Sequence, residues 1–202
     1  MNELLTQVDF EKAGGLVPVV VQNARTLQVL MLGYMDRPAL EATLESGEVT
    51  FYSRSKERLW KKGESSGNIL KLVDARTDCD SDALLVLADP VGPTCHLERI
   101  SCFDTGEAPG VGFLAALEDV IASRKGADAG TSYTAKLFEA GVKRIAQKVG
   151  EEGVETALAA VAEEDEKLLG EAADLMYHLI TLMQARGLSL GDVVEALRGR
   201  RG

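Results

Sequence analysis

The hydrophobic residues of this chain keep one rhythm as far as about residue 103 and a different one from about residue 113 onward. In the first stretch they come in short, β-branched or leucine-rich runs set off by turn residues: Leu16 to Gln22, Leu27 to Gly33, Val49 to Ser53, Ile69 to Thr77 and Leu84 to Ala88. Such runs predict strands of a mostly antiparallel sheet. One helix interrupts them, from about Arg37 to Ser46, with Asp36 placed to cap it and Pro38 in its first turn. In the second stretch Leu114, Leu117, Val120 and Ile121 form a helical stripe, and alanine-rich amphipathic segments continue to the end. Four or five helices are expected there, the last capped by Ser189. Between the two rhythms, Asp104 to Gly112 holds three glycines and a proline with little apolar content, the chemistry of a linker. The expected architecture is an α+β domain over residues 1–108 followed by an all-α domain over residues 113–202.

Charge narrows the class of ligand. The net charge is −10, with six of the excess negative charges before residue 109 and four after it, so both halves are acidic. Sequence-independent binding to nucleic acid needs a basic surface to neutralise phosphates, and neither half offers one. An anionic small molecule remains compatible where local cations or a bound metal reverse the field inside a cleft. No apolar run is long enough to cross a bilayer, and the start of the chain lacks a basic segment leading into an apolar one. A cytoplasmic location is therefore expected, where thiols stay reduced and metal ligation is favoured over disulfides.

The three cysteines all fall in one stretch, Asp78-Cys79-Asp80-Ser81-Asp82 followed by Cys95-His96 and Cys102. Alternating carboxylates suit a hard ion such as Mg²⁺, whereas thiolate and imidazole select zinc or a similar borderline metal. A buried cysteine is more often an apolar filler, but Cys79 lies between two aspartates and Cys95 follows Gly92-Pro93-Thr94, neither of which reads as core. The aspartates lack the glycine and distal glutamate of a helix-loop-helix calcium site.

A second chemical stretch runs from Ser53 to Asn68 and includes Arg54, Ser55, Trp60, Lys62, Glu64, Ser65 and Ser66. Cations, hydroxyls and glycines after a strand can hold phosphate, and the single tryptophan can pack on a base. The plain alternative is a solvated basic hairpin loop. Phe51 to Ser55, Leu59 to Gly67, Asp78 to Asp82 and Pro93 to His96 with Ser101 to Phe103 together resemble phosphoribosyl-AMP cyclohydrolase, over about residues 10–105. Lys56 stands where that family commonly has arginine, which keeps the charge but weakens bidentate phosphate contact. The resemblance implies Mg²⁺ at Asp78, Asp80 and Asp82, and Zn²⁺ at Cys79, Cys95 and Cys102 with ligands shared between the two chains of a homodimer. If Asp78 to Asp82 is extended, its aspartates and cysteine point alternately and place the two ions on opposite sides. The implied reaction is hydrolytic opening of the adenine ring at N1–C6, with zinc lowering the pKa of its water to about 7. His96, beside a ligand, is the candidate for proton transfer, with Glu64 as a second possibility.

In the second half, Glu152 with Glu155 and Glu171 with Asp174 are acid pairs at i, i+3, each on one face of a helix. Like charges so placed repel by roughly 0.2–0.5 kcal/mol per pair unless a cation neutralises them. Antiparallel helices would let all four converge on Mg²⁺. Alanines at 157, 159, 160, 172 and 173 read as a close-packed seam, and Gly153, which costs about 1 kcal/mol in a helix, reads as a place where something passes near. The run Glu163 to Glu166 reads as a solvated helix connection and His178 as a structural core histidine. Ser132 to Phe138, Lys148 to Glu155 and Glu171 to His178 resemble phosphoribosyl-ATP pyrophosphohydrolase over about residues 113–200, within a broader group of all-α nucleotide pyrophosphohydrolases. The resemblance implies that Glu152, Glu155, Glu171 and Asp174 hold Mg²⁺, with Glu151 a further ligand or a base that orients water. Lys136, Arg144 and Lys148 are candidates to clamp phosphates, or else salt-bridged surface cations. Both resemblances together imply a bifunctional hydrolase for the second and third steps of histidine biosynthesis, with phosphoribosyl nucleotides as substrates. A general nucleoside triphosphate pyrophosphohydrolase with an unrelated zinc module is the alternative enzyme, and a metal-stabilised interaction module without turnover is the alternative class.

Overall fold

A computed structural model describes residues 2–103, 106–130 and 132–201, and the side chain of every one of these except residue 2. The chain divides into two compact units, Met1–Phe113 and Leu114–Gly202. The first contains a mixed β-sheet and the second is all-α. Asp104 and Thr105, the first two residues of the expected linker, lie outside the described residues.

Unit one begins with α1 (Asn2–Gln7), followed by β1 (Val17–Asn23), β2 (Val29–Met35), α2 (Arg37–Ser46), β3 (Thr50–Ser53), β4 (Arg58–Lys61), β5 (Leu70–Thr77) and β6 (Leu84–Pro90). Four strands make one sheet in the order β2-β1-β6-β5, and β3 pairs with β4 in a separate ribbon. The β1/β2 and β5/β6 pairs are antiparallel, as expected, but β1 and β6 run parallel, with Val19 opposite Leu84 and Asn23 opposite Ala88. Alternation sets the buried face: Val17, Val19 and Val21 are fully buried, and they meet Leu30, Met35, Leu84, Val86 and Ala88 in one core.

The second layer of that core is α2 and the β3/β4 ribbon, through Ala39, Leu40 and Phe51. Asp36 caps α2 by accepting a 2.8 Å hydrogen bond from the Ala39 N–H, and Gly47 ends it in the left-handed region. Thr43, facing inward, accepts from the Thr50 N–H at 2.9 Å and so joins the helix to the ribbon. Two elements escape the hydrophobic pattern. The first helix is only six residues long, and β4, Arg-Leu-Trp-Lys, is largely exposed, so neither has the apolar period that marks an element.

Unit two contains most of α3 (Gly112–Ser123), then α4 (Tyr133–Ala140), α5 (Val142–Ala162), α6 (Asp165–Ala185) and α7 (Leu190–Arg198). The two long helices fold back on each other through the two-residue connection Glu163-Glu164, so Glu163 to Glu166 closes one helix and opens the next. Ser189 caps α7 in a reciprocal box with Asp192. Ile121, Leu137, Ile145, Ala159 and Ile180 are buried. Glu118 is buried with them, and its carboxylate accepts from the Gln184 side chain at 2.9 Å and the Leu190 N–H at 2.6 Å. The alanine seam is narrower than expected: Ala159 is buried and Ala172 half-buried, but Ala157, Ala160 and Ala173 are exposed. Gly153 has no close neighbour, since a methyl group there would meet only Leu175, at an ordinary 4.0 Å. Among the described residues no helix is long and apolar enough to cross a membrane.

Phe51 is 1% exposed and packs on Trp60 with ring centroids 5.7 Å apart. Phe51→Ala is expected to cost unit one about 3–5 kcal/mol, read as a shift of its urea transition, with the helical unit's transition unmoved.

Candidate functional site

Unit one carries two groups of polar side chains with chemistry in them. The first is the loop after β5. Asp78 closes it, its carboxylate accepting from the Asp82 N–H at 3.1 Å and the Ala83 N–H at 3.2 Å. The loop is a turn and not an extended segment, with Ser81 in the left-handed region, so the expected alternation of aspartates and cysteine does not occur. The turn instead gathers Asp78, Asp80 and Asp82, each with a carboxylate oxygen within 4.8 Å of the others. Three hard oxygen donors at that separation fit a divalent ion such as Mg²⁺. Lys12 already lies against them, its Nζ 2.5 Å from Asp80 and 2.8 Å from Asp82, which lowers the Asp80 carboxyl pKa and raises that of the lysine. The main chain adds a second tie, from the Asp9 N–H to the Ser81 carbonyl at 2.8 Å.

The second group lines a cleft of about 390 Å³ that gathers Trp60, Lys62, Glu64, Ser65, Ser66, Thr94, Cys95, His96 and Cys102. Its walls come from two loops. Gly63 adopts φ +85°, and a Cβ there would lie 2.6 Å from the Asn68 backbone, so only glycine lets residues 62–68 fold back this tightly. On the facing loop, the Cys95 N–H donates to the Arg99 carbonyl at 2.9 Å. Ser101 anchors that loop to β2 through its hydroxyl, which donates to the Val29 carbonyl at 2.8 Å, and the Cys102 N–H donates to Leu30 at 2.7 Å.

Cys95 is buried and Cys102 more open. Burial raises the Cys102 thiol pKa, and the neighbouring Cys95 raises it further. A thiol so placed stays protonated until a cation favours the thiolate, as a soft metal does. His96 Nδ1 lies 3.9 Å from Cys95 Sγ. Lys62 is 8% exposed, and burial lowers its pKa against the opposing pull of Cys102 and Cys95. Its Nζ donates to the Asn68 carbonyl at 3.3 Å. Glu64 is held by Arg58 in a two-pronged contact of 2.5 and 3.1 Å, which lowers its pKa.

Besides the three aspartates, three expected residues of unit one stand apart from this cleft. Arg54 and Ser55 sit in the β3–β4 turn, where the Arg54 guanidinium lies 3.8 Å from the centre of the Tyr34 ring. Cys79 is exposed in the aspartate turn, and one chain brings only Cys95 and Cys102 into the cleft.

In unit two, Glu152, Glu155 and Glu171 bring one carboxylate oxygen each within 4.8 Å of the others, from facing positions on α5 and α6. Glu152 and Glu171 are buried, and Glu155 is exposed. Burial and the charges of Glu152 and Glu171 raise the Glu155 pKa. Lys148 lowers that of Glu152 through a 2.5 Å contact and also bridges to Glu151 at 3.0 Å. Lys167 pairs with Glu171. Asp174 is exposed one turn beyond Glu171 and is not part of the close trio. Glu151 is occupied by Lys148, by Gln147 at 2.8 Å and by Arg144 at 3.6 Å, and Lys136 is exposed on α4.

His178 is buried, as expected, but it borders the acids: Nδ1 lies 2.8 Å from the Asp174 carbonyl and 3.8 Å from Glu152, and Nε2 is 3.1 Å from the Tyr133 hydroxyl.

Two family models fit this division of chemistry. Phosphoribosyl-AMP cyclohydrolase matches residues 31–104 and phosphoribosyl-ATP pyrophosphohydrolase matches residues 114–201. The whole chain is similar to histidine biosynthesis bifunctional protein HisIE of Xanthomonas axonopodis pv. citri, at 60% identity over 97% of this chain and 94% of that protein. It is also similar to the proteins of that name from Campylobacter jejuni, at 56% over 98% of this chain and 97% of that one, and Escherichia coli K12, at 58% over 96% and 95%.

The chain belongs to the HisIE family. It is thus a bifunctional hydrolase of histidine biosynthesis.

The HisIE motifs located both acid groups and the cleft loops. They did not reveal Lys12, which meets its aspartates across 68 positions and leaves no local signal. Lys167 was detectable, because it lies four residues before Glu171 on the same helix. Thr94 and the Tyr133–His178 contact needed the fold.

The raised pKa of Glu155 fixes a sign. A carboxyl that titrates higher when folded than when unfolded costs no stability in acid, where both states are protonated, and the cost sets in as pH rises through the two values. Glu155→Gln is therefore expected to raise the melting temperature of the helical unit at pH 7 in chelator-treated protein, and to leave it unchanged near pH 3. Thermal scans by circular dichroism at the two pH values measure this.

Proposed function

We propose that the helical unit hydrolyses phosphoribosyl-ATP to phosphoribosyl-AMP and pyrophosphate, and that the sheet-bearing unit then opens the adenine ring of phosphoribosyl-AMP. The catalytic order would then reverse the chain order. The observation that carries this reading is the separation of the donors: an all-carboxylate trio on α5 and α6, and a thiol, imidazole and ammonium cleft in the other unit. The occurrence of both family models on one chain favours it over a general nucleoside triphosphate pyrophosphohydrolase.

In the helical unit Glu152, Glu155 and Glu171 are the proposed Mg²⁺ ligands, with Asp174 one turn away as a fourth. An ion held there would supply charge neutralisation for the triphosphate and a polarised water for attack at the α–β linkage. Glu151, joined to Glu152 through Lys148, would orient that water. Lys148 and Arg144, both beside Glu151, are placed to receive phosphate oxygens, and Lys136 offers a third cation.

In the cleft, water adds its oxygen to C6, the N1–C6 bond breaks and N1 takes up a proton. Cys95 and Cys102 are two of the proposed Zn²⁺ ligands, and zinc held there would supply a water acidic enough to ionise near neutrality. Cys79 is the proposed third, contributed by a second copy, which makes the working unit a homodimer. The separation of Cys79 from the other two within one chain supports this arrangement. His96 moves the proton, Lys62 and the hydroxyls of Ser65 and Ser66 bind the nucleotide, and Trp60 packs on its base. Glu64, fixed by Arg58, positions the loop that carries them. Arg54 and Ser55 reach phosphate from the β3–β4 turn, and Asp78, Asp80 and Asp82 hold Mg²⁺.

Purified protein given phosphoribosyl-ATP, Mg²⁺ and trace Zn²⁺ should release pyrophosphate and the ring-opened product, followed by mass spectrometry. Cys95→Ala is expected to lose zinc and ring opening while retaining pyrophosphate release, so that phosphoribosyl-AMP accumulates. Glu152→Gln should do the converse, losing pyrophosphate release yet opening the ring of supplied phosphoribosyl-AMP. Loss of both activities in either folded variant would contradict separate sites.

A further inference from the structure

The aspartate turn is gripped from a distant part of the chain. Val8 and Phe10 are buried in the core of unit one and fix residues 8–12 beside the turn. The Asp9 N–H donates to the Ser81 carbonyl, and the Asp9 carboxylate accepts from the Lys12 N–H at 2.9 Å, which folds Lys12 back over the acids. Its ammonium meets three acceptors there: the Asp80 carboxylate at 2.5 Å, the Asp82 carboxylate at 2.8 Å and the Asp80 carbonyl at 3.2 Å. An ammonium has three donors, and this one turn offers an acceptor for each. Helical spacing brings Lys148 and Lys167 to their acids, whereas tertiary structure alone brings Lys12 to these.

The grip is open to exchange. The Lys12 and Asp80 side chains are 42% and 59% exposed, so water and ions reach the contact, and an exposed pair is individually weak. Ser81 is in the left-handed region at φ +67°, which a residue with a side chain seldom adopts, and the Asp9 tie holds it there. A divalent ion joining Asp80 to Asp82 would draw on carboxylates that the ammonium now holds, and positive charges so close repel.

We propose that Lys12 is a positioning residue of the aspartate turn and an internal competitor for its divalent cation: it keeps Asp80 and Asp82 together in the free protein and leaves them as the ion binds. This rests on the placing of Mg²⁺ in that turn. A residue outside the ligand set thereby holds the turn's affinity below that of the bare acids.

The test titrates Mg²⁺ into zinc-loaded full chains of wild type, Lys12→Met and Lys12→Arg. Binding is read by NMR at the Asp82 and Ala83 amides, which hydrogen-bond to Asp78 and so report this turn and not the helical trio. Lys12→Met is expected to bind Mg²⁺ about tenfold more tightly, as removal of a positive charge beside a divalent ion does, and to melt at a lower temperature without added Mg²⁺. Saturating Mg²⁺ should close that gap in melting temperature, and Lys12→Arg should bring both quantities back toward wild type. Unchanged or weaker binding in Lys12→Met would overturn the proposal. So would a melting deficit that saturation leaves in place, since the lysine is then a structural tie whether or not the ion is bound. Should Lys12→Met fail to fold, Lys12→Gln is read against the same outcomes. If Mg²⁺ shifts these amides in neither wild type nor Lys12→Met, the turn holds no such ion, which overturns the underlying reading and is distinguishable from every effect of Lys12.

Discussion

Repulsion between carboxylates held close together is the constraint on which both units are organised. Each brings three acid side chains within 4.8 Å of one another, a separation at which like charges oppose folding unless a cation lies among them. In each the protein provides lysine: Lys12 on Asp80 and Asp82, Lys148 on Glu151 and Glu152, and Lys167 on Glu171. The acids can then be gathered ahead of any ligand, and their geometry is set by the fold. An ammonium is one charge on a flexible stem, whereas a divalent ion brings two charges and several coordination positions. The arrangement thus favours exchange of a weaker cation for a stronger one over assembly of a site from scattered residues.

The cleft follows the opposite logic. Its groups are few, partly buried and of different kinds: two thiols, an imidazole, an ammonium and several hydroxyls. Burial weights the neutral forms, raising Cys102 and lowering Lys62, while Lys62 pulls Cys102 back toward charge and the two cysteines pull the lysine back. In the proposed reading, a soft cation would tip this balance toward thiolate and an anionic nucleotide would tip it toward ammonium. If the two hydrolyses run at these sites, as proposed, they have different electrostatic surroundings.

Much of this was legible in the sequence, and the residues show why. The α2 helix could be read almost to its ends because Asp36, Pro38 and Gly47 are local signals. The two acid groups were visible because helical spacing and the aspartate alternation are local too. The parallel β1/β6 pair was not visible, since Val19 and Leu84 meet across the length of a whole subdomain. Nor was the turn at Asp78 to Asp82, where alternation in sequence resembles a strand but Ser81 bends the chain. The aspartates converge for the reverse of the expected reason: a turn brings them to one side, where a strand would also have aligned them but left Cys79 opposite. Arg54 shows a further limit, because its cation rests on the Tyr34 ring, a contact that composition does not encode.

The parallel pairing of β1 with β6 also orders events in time. β1 and β2 form a local hairpin, but the other edge of β1 has no neighbour until β6, more than 60 positions later, reaches it. Closing so long a loop is entropically slow, and contacts of this range retard folding. During synthesis the valine-rich β1 therefore leaves the ribosome with an open edge, a template for pairing with another nascent chain. Burial of the alternate valines covers one face of β1, and only pairing with β6 closes that edge.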